Sequence, residues 1–269
     1  MFNANGGNLK SDIFTKLLMG QQTSTSTNFC YKMNHKQTNK KEFNPDLSHP
    51  YYLIRSGLYK SISQLSPALA GKILDFGCGS KPYQQLFNCE EYIGIDFVNP
   101  GHPHEGENID IYYNGKTIPF PDNHFDSILC SEVFEHIFNL DEVLIELHRV
   151  LKPGGSILIT CPFIWKEHET PNDFARYTLF ALESILTKQS FVPVATQKAG
   201  NFIEAITQIW ILFLYDHIYS VFKISFLTRI PFKFIFFMLP NMIARGISKL
   251  FKVPDTLYLN NVILYKKAK

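Results

Sequence analysis

The sequence predicts an α/β fold, a mostly parallel sheet covered by helices on both faces. Three observations carry that reading. Short apolar runs stopped by glycine alternate with stretches of helical periodicity from about residue 50 to 161. The first such run ends in a glycine-rich turn, Gly77-Cys78-Gly79. The apolar runs lack the in–out alternation of a sheet wetted on one side, and strands buried on both faces read this way.

The elements follow in order. Tyr52, Leu53, Leu58, Ile62 and Leu65 recur at helical spacing and predict a helix over about 51–65. Lys72-Ile73-Leu74-Asp75-Phe76 is the first strand, and a helix is expected after Gly79. Tyr92–Asp96, Ile109–Tyr113, Ser127–Cys130 and Ser156–Cys161 are the next four strands. Between the last two, Val143, Leu144, Leu147, Val150 and Leu151 line one face of a helix from Leu140 to Leu151. Lys152-Pro153-Gly154-Gly155 should end it, because neither proline nor glycine continues a helix well. Leu257 to Lys267 reads as a last strand.

Four segments result. Residues 1–46 are rich in Asn, Gln, Thr, Ser and Lys and are expected to be disordered. Residues 47–202 form the core, 203–255 an apolar helical insertion, and 256–269 the final core strand. His102 and His104 fall in a Gly/Pro loop and read as solvated residues.

Composition narrows the function classes. The net charge is only +2, but its distribution is uneven. Residues 1–200 carry 17 Lys and Arg against 21 Asp and Glu, while 201–269 carry 9 against 3. A mildly acidic body therefore bears a basic, aromatic tail, which suits an anionic membrane surface better than nucleic acid. The tail is interrupted at Asp216-His217, Lys233 and Pro240, so no uncharged run reaches the roughly 18 residues of a spanning helix. One or two amphipathic helices are expected, lying on a membrane, covering an acceptor pocket, or forming a packed or dimer face. The five cysteines form no CxxC pair and read as reduced thiols of a cytoplasmic protein, which the basic tail would set peripherally on the inner membrane face. No apolar run follows a basic N-terminus, so no secretory signal is expected.

The turn after the first strand points to a ligand. Gly77 and Gly79 let the backbone bend tightly and a ligand approach closely. A dinucleotide fingerprint would need a third glycine where Pro82 stands, and no GxxxxGK[ST] loop is present, so a pyrophosphate grip is disfavoured. Asp96, closing the second strand, can accept both hydroxyls of a ribose.

Four segments together carry a resemblance. Ile73-Leu74-Asp75-Phe76-Gly77-Cys78-Gly79 and Tyr92-Ile93-Gly94-Ile95-Asp96 resemble the first two motifs of class I S-adenosylmethionine-dependent methyltransferases, in a type-11-like subgroup. Ile118-Pro119-Phe120-Pro121-Asp122-Asn123-His124-Phe125-Asp126 and Glu146 to Gly155 resemble two later segments of that family. The resemblance implies a Rossmann-like sheet of seven strands, the last antiparallel beside the fifth, with the apolar tail as a helical insertion before it. It implies S-adenosylmethionine as cofactor. Asp75, Phe76 and the Gly77-Cys78-Gly79 backbone would hold its methionine part, Asp96 its ribose, and Phe97, Asn114 and Gly115 its adenine. Ser131 and Glu132 would lie near the sulfonium.

Two further segments bear on the acceptor. Ser131-Glu132-Val133-Phe134-Glu135-His136 is expected to open the helix after the fourth strand, and acids in a first turn are ordinary there. On such a helix Glu132, Glu135 and His136 share a face and resemble the metal site of O-methyltransferases of ubiquinone biosynthesis. That oxygen-rich trio suits Mg²⁺ or Mn²⁺; alternatively His136 alone is a base. After the fifth strand, His168-Glu169-Thr170-Pro171-Asn172-Asp173-Phe174-Ala175-Arg176-Tyr177-Thr178 is either a capped helix start with an Arg–Asp pair or part of the acceptor site. It resembles a branch linked to polysaccharide or glycan biosynthesis, which adds His168 and Arg176 as catalytic candidates. The implied reaction is methyl transfer to a hydroxyl of a sugar, glycan or lipid-linked intermediate. The rivals are a quinol-like or small-metabolite acceptor and a non-catalytic module on membranes.

Overall fold

The computed structural model describes residues 43–98, 106–220 and 226–269. The polar segment up to residue 42 and the pair His102 and His104 lie outside the described residues. Seven strands form one sheet: β1 (Lys72–Phe76), β2 (Glu91–Phe97), β3 (Ile111–Tyr113), β4 (Phe125–Ser131), β5 (Leu151–Pro162), β6 (Phe191–Ala199) and β7 (Asn260–Lys267). Their order is β3-β2-β1-β4-β5-β7-β6, and β7 runs antiparallel to both of its neighbours. This is the Rossmann-like sheet that the sequence implies.

Adjacent residues on the central strands point to opposite faces. Leu74, Ile128 and Ile157 join one core, where the helices α2 (Leu140–Val150) and α3 (Leu179–Lys188) supply Leu144, Leu147, Leu182 and Leu186. Ile73, Leu129 and Leu158 join the other, against Leu53, Leu58 and Ile62 of α1 (Tyr52–Leu65). The helix α2 carries Asp141 and Glu142 in its first turn and His148 and Arg149 in its last, matching its dipole at both ends.

Two of the quoted segments prove to be one brace. Arg149 donates to Glu146, to Asp122 and to the carbonyls of Ile118 and Phe120, each at 2.8–2.9 Å. Glu146 also accepts from the Ile118 backbone N–H at 2.8 Å. These residues fix the approach to β4 and touch no ligand site.

Three expectations need correction. No α-helix follows the glycine turn; the chain makes only a single 3₁₀ turn at Gln84–Leu86. Buried Lys81, in the left-handed region, and Pro82 interrupt helical geometry there. The third strand begins at Ile111, because Asp110 is drawn into bonds with Gly94 across β2. Leu151 to Gly155 do not end the helix as a loop but already run extended into β5 across a bulge.

Between β6 and β7 lie α4 (Phe202–Leu214), α5 (Phe226–Lys233) and α6 (Leu239–Leu250). A wide π turn at Phe234–Met238 joins α5 to α6, so the helix passes Pro240 rather than stopping at it. Thr228–Leu250 is long and apolar enough to cross a membrane by length and composition. It is nonetheless tied to the body: Asn241 donates to the Leu47 carbonyl at 2.8 Å, and Arg245 donates to Glu204 at 2.9 Å and to Ser56 at 2.7 Å.

Candidate active site

A cleft of about 440 Å³ opens beyond the carboxyl ends of the parallel strands, where α/β sheets bind ligands. Its floor is the turn after β1. Gly77 has φ +72°, and a Cβ there would stand 2.4 Å from Val133 Cγ2, so only glycine fits. Gly77 and Cys78 both donate their backbone N–H to the Ile95 carbonyl, at 2.9 and 3.2 Å. This clamps the turn to β2, the strand that ends in Asp96.

Asp96 faces into the cleft with its carboxylate braced. Oδ2 accepts from the Gly79 N–H at 2.9 Å and Oδ1 from the Phe97 N–H at 2.7 Å. A carboxylate oxygen has lone pairs enough to accept from more than one donor. The Phe97 ring forms the next wall and is 44% exposed. Gly115, at φ +75°, lies against it; a Cβ there would meet the ring at 2.9 Å. A braced carboxylate, an aromatic wall and a Cβ-free turn fit an adenosyl group with a methionine arm.

Two expected cofactor residues stand elsewhere. Asn114 does not line the cleft: its Oδ1 accepts from the N–H groups of Lys116 and Thr117, both at 2.9 Å, closing its own turn. Short-range backbone bonding of this kind is what asparagine does best in a loop. Asp75 lies behind the turn, on a smaller cavity of about 120 Å³ that shares Gly77, Ser131 and Glu132 with the cleft. Burial pushes its carboxyl up to about 7, against the opposing hydrogen bond from the Tyr92 hydroxyl at 2.7 Å. Burial also pushes the Cys78 thiol up, so it lines the turn as an unreactive group.

The other end of the cleft departs from the expected helix. Glu132 has φ +57°, and its N–H still bonds to the Thr160 carbonyl at 3.0 Å, continuing the β4–β5 ladder. Only a 3₁₀ turn, Phe134–His136, follows. Glu132 and Glu135 therefore do not share a helical face, and the trio Glu132, Glu135, His136 does not converge. Glu132 is taken by other partners: Thr160 Oγ1 donates to it at 2.7 Å and Asn260 Nδ2 at 2.6 Å. The oxygen-rich ligand set that Mg²⁺ would want is not formed.

What the loops bring together instead is Glu135, His136 and His168, whose ligand atoms lie within 4.8 Å of one another. Glu135 is fully buried; burial, then the neighbouring Glu132, push its carboxyl well above the usual range. His136 lines the cleft, with Nδ1 2.7 Å from the Asn172 carbonyl. His168 does not line the cleft but stands edge-on to His136, ring centroids 4.6 Å apart. Burial first, then the His136 charge, depress its pKa. Arg176 is also off the cleft: it forks onto Asp173 at 2.6 and 2.8 Å and holds the Lys166 carbonyl at 2.9 Å. It makes the Arg–Asp pair that the sequence offers as one of two readings.

Sequence reading passed over several residues. Glu107 lies near Gly79, and Glu169, Asn172, Phe138 and Phe174 line the outer cleft. Asn260 had a visible signal: with Asn261 it opens the last strand as a polar pair ahead of an apolar run, and both are fully buried.

Residues 74–159, the stretch from β1 to β5, match the family model described as a methyltransferase domain. Over that stretch the chain is a methyltransferase domain on the class I S-adenosylmethionine-dependent fold. Locally, the chain is 44% identical over 46 residues to the ubiquinone/menaquinone biosynthesis C-methyltransferase UbiE of Psychromonas ingrahamii, covering 17% of the chain and 18% of that protein. It is 41% identical over 56 residues to UbiE of Shewanella pealeana, covering 21% and 22%. The chain thus spans less than a quarter of the length of these curated relatives. Among solved structures, the [4+2]-cyclase SpnF superposes with a TM-score of 0.52 at 16% identity, over 83% of the chain and 85% of that protein. An S-adenosylmethionine-dependent methyltransferase from Archaeoglobus fulgidus gives 0.50 at 18% identity, over 85% and 97%. At these identities the superpositions speak for the methyltransferase fold alone.

Proposed function

We propose that the chain transfers a methyl group from S-adenosylmethionine to a hydroxyl of a sugar, glycan or lipid-linked intermediate, working on the cytoplasmic face of a membrane. One observation supports this above the rest. A single cleft runs from Asp96 and Phe97, shaped for an adenosyl group, to His136 and Glu169, which offer basic atoms to an acceptor.

When bound, the cofactor supplies a methyl group already activated on a sulfonium. The work left to the protein is to hold the two reactants in line and keep water out. Asp96 would take the ribose hydroxyls, Phe97 and Gly115 the adenine, and the Gly77–Gly79 backbone the methionine arm, with Ser131 and Glu132 nearest the reacting centre. The hydroxyl needs somewhere to send its proton. His136 donates its Nδ1–H to the Asn172 carbonyl, so its Nε2 carries a lone pair. Phe138 and Phe174, 5.5 Å apart, form an apolar lip over the outer cleft.

The membrane part rests on a reversal of polarity in the insertion. The helices α4 and α6 turn their polar residues inward, where Glu204, Gln208 and Asn241 are buried and bonded. Outward they expose Ile206, Trp210, Phe213, Met242 and Ile243. Exposed Arg229, Lys249 and Lys252 accompany this face and suit anionic headgroups. No described residue of 203–250 lines the cleft. The local likeness to UbiE favours a second reading, methylation of a ring carbon on a quinol-like acceptor.

The test is to incubate the full chain with methyl-labelled cofactor and separated membrane and soluble extracts, then locate the label by mass spectrometry. Label on oxygen in a membrane-extracted product is expected, with Asp96→Ala giving none and binding S-adenosylhomocysteine at least about tenfold more weakly. Label on carbon selects the quinol-like reading. Label confined to soluble products overturns the membrane part. A wild-type chain that does not bind S-adenosylhomocysteine sinks the whole reading.

A further inference from the structure

Around His136 and Glu169, on the acceptor side of the cleft, the structure holds a cluster that methyl transfer alone does not explain. The Glu135 side chain is completely buried, yet its Oε1 has no hydrogen-bond partner. An unpaired buried carboxylate oxygen is costly, and such atoms are rare unless something satisfies them. The nearest ring nitrogen, His136 Nε2, lies 3.8 Å from it, and Glu169 Oε2 lies 3.9 Å from that same nitrogen. Those distances are too long for hydrogen bonds, which run about 2.7–3.2 Å. These two distances suit donors sharing one cation, since ligands about 2.1 Å from a metal stand roughly 3–4 Å apart, and the His168 ligand atom, within 4.8 Å of those of Glu135 and His136, joins them by a small inward shift.

The surroundings match as well. Ligating histidines ordinarily give their second ring nitrogen to a carbonyl or carboxylate. His136 Nδ1 does so, 2.7 Å from the Asn172 carbonyl, whereas His168 Nδ1, 3.3 Å from Asp173 Oδ2, is a second buried atom of the cluster without a hydrogen-bond partner. Asp173 is fixed in turn by the Arg176 fork and by the His168 backbone N–H at 2.9 Å. Arg176 thereby acquires a use: it positions the carboxylate that holds the His168 backbone.

We propose that Glu135, His136 and His168 bind a divalent transition-metal ion in the acceptor wall of the cleft, with Glu169 beside it. Two imidazoles and one carboxylate select Zn²⁺, Mn²⁺ or Fe²⁺ over Mg²⁺, which prefers oxygen ligands. This rests on the proposed methyl transfer to a hydroxyl and deepens it. The ion would bind the acceptor oxygen and lower its pKa. His136 Nε2 then serves as ligand rather than base. The O–H bond breaks with its proton passing to the Glu169 carboxylate, and the oxygen's electron pair forms the new bond to the methyl carbon. The carbon–sulfur bond breaks with its pair remaining on sulfur.

The test uses the full chain after dialysis against a chelator, titrated calorimetrically with Zn²⁺, Mn²⁺ and Mg²⁺ separately. One equivalent of Zn²⁺ or Mn²⁺ should bind at least about tenfold more tightly than Mg²⁺. His168→Asn and Glu135→Gln, the second keeping the side-chain shape, should each weaken that binding by about tenfold or more. Equal heats in wild type and both variants, or no binding in wild type, overturn the site. S-adenosylhomocysteine is titrated into the same samples: if it binds the wild type while no metal does, the metal site fails alone. If it does not bind at all, the methyltransferase reading fails first.

Discussion

The two ends of the cleft are built in opposite ways. The cofactor end is local: Gly77, Cys78, Gly79, Asp96 and Phe97 sit on the tips of two neighbouring strands, and their own backbone bonds shape it. The acceptor end is assembled from afar, with Glu132 held by Thr160 and by Asn260 of the last strand, and His136 meeting His168 across two loops. A site made from strand tips tolerates no change in its backbone. A site made from converging loops depends on partners distant in sequence.

The sharpest way to break this contrast is at the turn. Gly77→Val places a branched side chain where even a Cβ would lie 2.4 Å from Val133, at a φ of +72° that valine does not adopt. We expect no measurable S-adenosylhomocysteine binding by calorimetry, a loss of more than about 100-fold. Circular dichroism should still show a folded sheet. Affinity within tenfold of wild type would mean the turn does not carry the cofactor.

The same contrast explains what could be read in advance. Six of the seven strands and the helices at Tyr52 and Leu140 followed from apolar runs, periodicity and glycine stops, and the cofactor turn from contiguous residues. The acceptor end failed at Glu132. Helical spacing predicted a shared face for Glu132 and Glu135, but one backbone bond to Thr160 keeps Glu132 on the sheet and reverses the sign of its φ. No local pattern contains that bond, because its partner lies on another strand. Asn114 failed differently: its side chain met the nearest N–H groups, a competition that strand position alone does not reveal. The inward polarity of the insertion also needed the fold, since Gln208 meets Pro50 and Ile54 only in three dimensions.

A smaller effect sharpens the cofactor end. Burial raises the Asp75 carboxyl to about 7 from 3.8, so the folded chain holds a proton that the unfolded chain has already lost. Between those values stability falls as pH rises, and the loss is complete above the folded value. Asp75→Asn cannot ionise and should flatten that decline while keeping an acceptor for the Tyr92 hydroxyl. The difference at about pH 8 is on the order of a few kcal/mol at most, seen as a higher melting temperature for the variant. Parallel pH profiles for the two proteins would show that Asp75 ionises freely in the fold.

The smallest effect tests the long reach of the acceptor end. Asn260→Ala removes one of two donors to the buried Glu132 carboxylate, 128 residues away in the chain. Burial already pushes that carboxyl up, and the Thr160 and Asn260 hydrogen bonds pull it back down. Removing one bond raises it further. The ionised form then costs more in the folded state, so destabilisation grows with pH: slight near about pH 5, where the carboxyl is protonated, and about 1–3 kcal/mol near about pH 8. That corresponds to a melting point lower by roughly 2–10 °C. The effect should appear without loss of S-adenosylhomocysteine affinity beyond a few-fold, because Asp96 and the glycine turn are untouched. A loss equal at both pH values would instead mark Asn260 as a packing residue of β7, and the two ends of the cleft would then be less separable than their construction implies.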